Sequence, residues 1–194
     1  MEVNYSLEHY IKVFDNIFPE DVLESFLRIC KESKNFEDAG IVGDKDLHTI
    51  NKKIRNTFTW APKNMDIKSL TEVHWTNLLI NAFTKNIINY QSALEIEGTF
   101  SVNDVQILKY ITGGHYKIHT DHAATIPRTY SCIFLVNDDY EGGDLIFKFP
   151  GYEDNFKIEK CKNRIIVWPS NFLYPHSVLP VIKGERYSVV AWAL

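Results

Sequence analysis

The chain has 194 residues, 45% hydrophobic and 13% aromatic, with 21 Lys+Arg against 25 Asp+Glu and a formal net charge of −4. This is the composition of a globular protein. Mild acidity disfavours nucleic acid as a partner, which selects a basic stripe, and no apolar run approaches the roughly 18 residues of a membrane span. The three cysteines, Cys30, Cys132 and Cys161, have no paired Cys-x-x-Cys spacing, and the opening MEVNYSLEHYIKVFD places an acid where a secretory leader carries cations. Reduced thiols in a cytoplasmic protein that touches no membrane are therefore expected.

Before residue 95 the apolar periods are helical. In PEDVLESFLRICKES, Val22, Leu23, Phe26, Leu27 and Ile29 form an apolar stripe, acids come early and Arg28 and Lys31 late, which predicts a helix over 19–33 with Pro19 in its first turn. Ser69 or Thr71 caps a second, longer helix through EVHWTNLLINAFTKNIINYQSAL, where Trp75, Leu78, Leu79, Phe83, Ile87 and Tyr90 recur at helical spacing. The polar, glycine-punctuated segment 34–60 between them reads as a loop long enough to be functional.

From residue 104 the pattern changes to short β-branched and aromatic runs separated by turn residues: DVQILKYI, HYKIHT, TYSCIFLV, DLIFKF, NFKIE, RIIVWP, HSV and ERYSVVAWAL. Strands without intervening long helices predict an antiparallel double-sheet β core. Gly142-Gly143 reads as a hairpin turn between NDDY and DLIF. The expected fold is α+β: a double-stranded β-helix (jelly roll) over 96–194, with residues 1–95 supplying packed helices and a substrate loop, all in one domain.

His119 and Asp121, in YKIHTDH, are two apart on a predicted strand and so share a face. His176, in YPHSVLP, follows 55 residues after Asp121 on a strand that can cross back beside it. Two imidazoles and one carboxylate occupy one face of an octahedral metal and leave the other open, as in non-haem Fe(II) oxygenases. Arg186 then stands inside the apolar strand ERYSVVAWAL. A guanidinium buried there requires an anionic partner, either an internal Asp or Glu or a small dicarboxylate. Ser188, Val190 and Trp192 share its face.

The ordered motifs His119-x-Asp121, EGGDLIF, His176 and Arg186 in RYSVVAW resemble the Fe(II)- and 2-oxoglutarate-dependent dioxygenases. KYITGGHYKIHTDH and RTYSCIFLVNDDYEGGDLIF are most similar to prolyl 4-hydroxylases of the hypoxia-sensing type and their small bacterial and phage relatives. The resemblance implies Fe(II) on His119, Asp121 and His176, with 2-oxoglutarate as co-substrate held by Arg186, Tyr110, Leu145 and Trp192. It also implies O2 as oxidant, ascorbate as a supporting reductant, and a substrate region at Arg128, Tyr116 and, through IRNTFTW, Arg55, Phe58 and Trp60. IRNTFTW is one residue shorter than the family segment. Leu135 and Val190 stand where hypoxia-sensing enzymes carry a tyrosine and a threonine, leaving Ser131 or Ser188 to supply hydroxyls. Collagen-type enzymes have lysine at the position of Arg186.

The implied reaction couples decarboxylation of 2-oxoglutarate to hydroxylation of an unactivated carbon, with a proline-containing peptide or protein as the first choice of substrate. Hydroxylation of a free amino acid, small metabolite or nucleobase is the enzymatic alternative. A catalytically silent jelly-roll binding module leaves the intact triad unexplained, and a zinc hydrolase leaves Arg186 unexplained.

Overall fold

The computed structural model describes residues 6–41, 49–62, 69–123 and 126–194. Among these are helices α1 (Glu20–Glu32) and α2 (Leu70–Leu94) and fourteen strands. In chain order the strands are β1 (Lys12–Asp15), β2 (Glu37–Asp38), β3 (Arg55–Asn56), β4 (Phe58–Trp60), β5 (Val102–Tyr110), β6 (His115–His119), β7 (Tyr130–Leu135), β8 (Glu141–Gly142), β9 (Leu145–Phe147), β10 (Phe156–Ile158), β11 (Arg164–Pro169), β12 (His176–Val178), β13 (Val181–Lys183) and β14 (Arg186–Ala193). All eight strand runs read from the sequence are present. They fold into a seven-stranded antiparallel sheet in the order β1-β11-β7-β14-β5-β4-β2, a five-stranded sheet β10-β9-β12-β6-β3, and the pair β13-β8. This is the jelly-roll core with helices packed on one side.

Strand alternation divides the large sheet into two faces. Tyr187, Val189, Ala191 and Ala193 of β14, with Cys132 and Phe134 of β7 and Val105 and Ile107 of β5, pack against Phe26 of α1 and Leu79, Phe83 and Ile87 of α2. The opposite face, with Leu108, Tyr110, Ile133, Leu135 and Trp168, meets Leu145, Phe147 and Val178 of the second sheet. A residue's parity on its strand therefore decides whether it supports the helices or enters the space between the sheets.

Local chemistry sets the element ends. Ser69 caps α2, its hydroxyl accepting from the Glu72 N–H at 3.3 Å. Pro19 lies one position earlier than expected, at the N-cap of α1, where its carbonyl accepts from the N–H groups of Val22 and Leu23. Within the 34–60 segment, read as a loop, residues 42–48 lie outside the described residues, and the described ones contain three short strands, β2, β3 and β4, which extend both sheets at their edges. Their two- and three-residue lengths are too short to show a period. The hairpin assigned to Gly142-Gly143 is also corrected: Gly142 pairs with Val181 across β8 and β13. A Cβ at Gly142 would lie 2.4 Å from the Pro180 carbonyl oxygen, and φ is +71° there, so close backbone approach demands glycine.

Candidate metal and co-substrate site

β6 and β12 are antiparallel neighbours with His119 directly opposite His176, which brings two imidazoles together although they are distant in sequence. Asp121 lies just beyond the end of β6 rather than within it. Its Oδ1 is 3.6 Å from His119 Nε2 and its Oδ2 is 3.5 Å from His176 Nε2. One ligand atom from each of the three residues falls within 4.8 Å of the others.

Each histidine is oriented by a backbone carbonyl. His119 Nδ1 is 2.9 Å from the Lys117 oxygen and His176 Nδ1 is 3.1 Å from the Tyr174 oxygen. A carbonyl only accepts, so the proton sits on Nδ1 and Nε2 is left as the lone-pair donor toward Asp121. Aromatic faces pack the rings: Tyr116 stacks on His119 with centroids 3.6 Å apart, and Trp168 stands edge-on to His176 at 5.0 Å.

Burial, then the neighbouring His176, pushes His119 down to about 3, outweighing the upward pull of Asp121. Burial pushes Asp121 up, but His176, His119, the Ser131 hydroxyl and Arg128 together hold it below the usual carboxylate range. A neutral His119 beside an ionised Asp121 is the protonation state in which these groups bind a metal.

The triad opens into a cavity of about 570 Å³ between the sheets, whose lining includes Tyr110, Leu145, Val178, Val190 and Trp192. Arg186 lies behind this wall with 0% exposure. Its Nη1 donates to Ser188 Oγ at 2.7 Å, and its Cζ is 5.0 Å from the Tyr110 ring centroid. Nε and Nη2 are buried without acceptors among the described residues; burial pushes the neighbouring Tyr140 hydroxyl up, and the guanidinium draws it back down in part. Among the described residues no carboxylate pairs with this guanidinium, so the internal Asp or Glu alternative is not met. A buried, half-satisfied guanidinium is costly unless an anionic guest completes it. That chemistry, beside two nitrogens and one oxygen able to hold Fe(II), fits the implied metal and dicarboxylate.

The other sequence-nominated residues divide. Arg128 stacks its Cζ 3.7 Å over the Trp192 ring and approaches Asp121 Oδ1 at 3.9 Å. Trp192 lies six positions along β14 from Arg186, roughly 20 Å at strand spacing, so it stands at the triad end of the cavity and not beside the guanidinium. Arg55 and Tyr116 line the cavity. Phe58 and Trp60 do not, which corrects their assignment to the substrate region. Trp60 pairs with Ile107 and enters the helix-side core, 6.0 Å from Phe36; Phe58 shares its parity. Thr59, between them, faces the cavity instead. Ser131 donates to Asp121 Oδ2 at 2.7 Å and lies 2.7 Å from Ser170 Oγ, so its hydroxyl is engaged at the triad. His115 and His122 bond to the Gly113 and Arg128 carbonyls and are not part of the triad cluster.

Sequence reasoning missed Thr59 and Gln106 as cavity residues and Ser170 as the partner of Ser131. The parity of β5 offers the signal for Gln106, because Gln106, Leu108 and Tyr110 alternate onto the interior face. Nothing local marks Ser170.

Residues 105–194 match the 2OG-Fe(II) oxygenase superfamily. A PKHD-type hydroxylase of Prochlorococcus marinus strain MIT 9215 is 34% identical over 95 residues, covering 47% of this chain and 41% of that protein. Another, from strain AS9601, is 26% identical over 169 residues, covering 87% and 72%. The chain spans about half the length of the first curated relatives it matches, 41% and 57%. In fold it is similar to a Pseudomonas putida prolyl-4-hydroxylase (TM-score 0.71, 19% identity, covering 95% of this chain and 92% of that one). It is also similar to a Trichoplax adhaerens prolyl hydroxylase solved with a hypoxia inducible factor oxygen degradation domain peptide (TM-score 0.72, 16% identity, covering 96% and 84%).

Proposed function

We propose, from the match of residues 105–194 to the 2OG-Fe(II) oxygenase superfamily, that the protein is a 2-oxoglutarate-dependent dioxygenase hydroxylating a prolyl residue in a peptide or protein. One observation carries the reading: a His-Asp-His cluster with ligand atoms within 4.8 Å opens into a cavity whose wall includes Tyr110, and against that ring lies a buried guanidinium with two nitrogens that find no acceptor among the described residues. Residues 96–194 then form the catalytic core and 1–95 its support, within one domain.

Iron held by His119, Asp121 and His176 supplies the redox chemistry that couples O2 and 2-oxoglutarate to carbon hydroxylation. The chain's own contribution is positional. Arg186 receives the distal carboxylate of 2-oxoglutarate in a charge-assisted fork, with Ser188 Oγ fixing Nη1 and the Tyr110 ring covering the guanidinium. Leu145 and Val190 give the co-substrate apolar walls and exclude water. Both histidines keep their proton on Nδ1, which donates to the Lys117 and Tyr174 carbonyls, and so keep Nε2 available.

Proline is supported as substrate by the prolyl hydroxylases among the fold neighbours. The test is mass gain of one oxygen atom on proline-containing peptides with Fe(II), ascorbate and 2-oxoglutarate. His176→Ala is expected to lose metal binding and turnover together. Turnover retained in that variant removes the triad from the mechanism.

A further inference from the structure

Two guanidiniums, Arg55 and Arg128, open into the cavity beside the triad, and among the described residues neither has a carboxylate dedicated to it. Arg55 donates from Nη1 to the Gly40 carbonyl at 2.9 Å, its Cζ stands 4.8 Å from the Tyr116 ring centroid, and its Nε is buried without an acceptor. Asp38 lines the same cavity but is held by Lys52 at 2.8 Å. Arg128 donates from Nη1 to the Asp121 backbone oxygen at 3.3 Å. The carboxylate it approaches, at 3.9 Å, is that of Asp121, which belongs to the metal cluster.

Aromatic faces hold both planes: Arg128 on Trp192 and Arg55 on Tyr116, which itself stacks on His119. Stacking leaves the guanidinium edge for hydrogen bonding, and with Nη1 of each already on a backbone carbonyl it is the rest of that edge that a planar anion would meet; low hydration suits the group to carboxylate recognition. Neither cation serves the distal carboxylate of 2-oxoglutarate, because Arg186 lies behind the Tyr110 wall at the far end of β14.

We propose that Arg55 and Arg128 form a carboxylate-binding subsite on the substrate side of the triad, so that the primary substrate carries an acid group close to the carbon that is hydroxylated. This rests on the oxygenase reading and narrows its substrate. The acid group has two sources: the side chain of an aspartate or glutamate next to proline in a peptide, or the α-carboxylate of a free imino acid.

Binding to the full chain loaded with Mn(II) and 2-oxoglutarate is measured by calorimetry for three probes: a blocked peptide with glutamate beside proline, its glutamine isostere, and free L-proline. Wild type is expected to bind the glutamate peptide or L-proline at least tenfold more tightly than the glutamine peptide, and whichever acid binds identifies the source. The gap is expected to close in Arg55→Gln and in Arg128→Gln, with manganese content and thermal unfolding recorded for each variant. Arg55→Lys, which keeps the charge without the fork, is expected to restore part of it. Equal binding of all three probes, no binding of any, or a gap that survives both glutamine substitutions overturns the proposal. Hydroxylation is read separately with Fe(II). Arginine-dependent binding without oxygen gain at proline leaves the subsite standing and removes the prolyl reading. Oxygen gain at proline with no preference for the acid does the reverse.

Discussion

Asp121 has two oxygens, and the neighbours of each decide how the cluster is held. Oδ2 accepts from the Ser131 hydroxyl at 2.7 Å, which is braced in turn by Ser170, and both serines are 1% exposed. Such outer partners fix ligand orientation, and losing one typically weakens metal affinity about 10- to 100-fold. Ser131→Ala is therefore expected to raise the Mn(II) dissociation constant by about that factor, with Ser131→Thr restoring most of it; an unchanged constant in the alanine variant shows that the hydroxyl only fills space. Arg186 presents the opposite economy. Its unsatisfied nitrogens destabilise the empty protein, and replacing a buried charge by a well-packed apolar side chain is often neutral or stabilising. Arg186→Met is expected to match or exceed wild type in thermal midpoint without co-substrate, and to lose the upward shift that saturating 2-oxoglutarate gives wild type. A retained shift would mean that another cation holds the carboxylate.

At the scale of elements, strand parity separates what the sequence discloses from what it conceals. The long strands β5, β7, β11 and β14 run for six to nine residues, so strand geometry states which of their residues share a face, Arg186 with Ser188, Val190 and Trp192 among them; both faces are largely buried, so the apolar pattern does not say which one meets the helices. His119 and His176 are legible as ligand types, yet their direct opposition depends on the register of β6 against β12, which no local pattern states. The short strand β4, second from the sheet edge, has three residues and carries no period, and there the aromatic types misled: Trp60 packs in the helix-side core, Phe58 lies under Lys52 Nζ at 5.9 Å, and Thr59 faces the cavity. The consequence is energetic. Trp60 is 8% exposed within the core, so Trp60→Ala is expected to cost about 3–5 kcal/mol in urea unfolding, while Thr59→Ala changes stability little. A stable Trp60→Ala protein that has lost only peptide binding would return Trp60 to the substrate region.

For the molecule as a whole, the His-Asp-His cluster couples the proposed function to acid stability. The native fold holds His119 at about 3, whereas an unfolded histidine titrates near 6.5. Between those values the unfolded chain takes up a proton that the native protein refuses. Stability of the metal-free protein must then fall as pH drops below about 6.5, with a slope of up to about 1.4 kcal/mol per pH unit for one proton. Asp121 acts in the same direction at lower pH. Its carboxyl is held below the ordinary range, so its contribution is present at neutral pH and is lost only as pH falls through the lowered folded value. The two groups separate by window: His119 governs the loss that begins near pH 6.5, and Asp121 adds to it only in the carboxylate range. Urea unfolding of the metal-stripped protein at pH 7, 6 and 5, beside His119→Asn, isolates the first. Wild type is expected to lose stability progressively over these steps, and His119→Asn to show a slope shallower by up to about one proton. Identical slopes in the two proteins would show that the acid sensitivity arises elsewhere in the fold, and that the cluster does not hold His119 neutral.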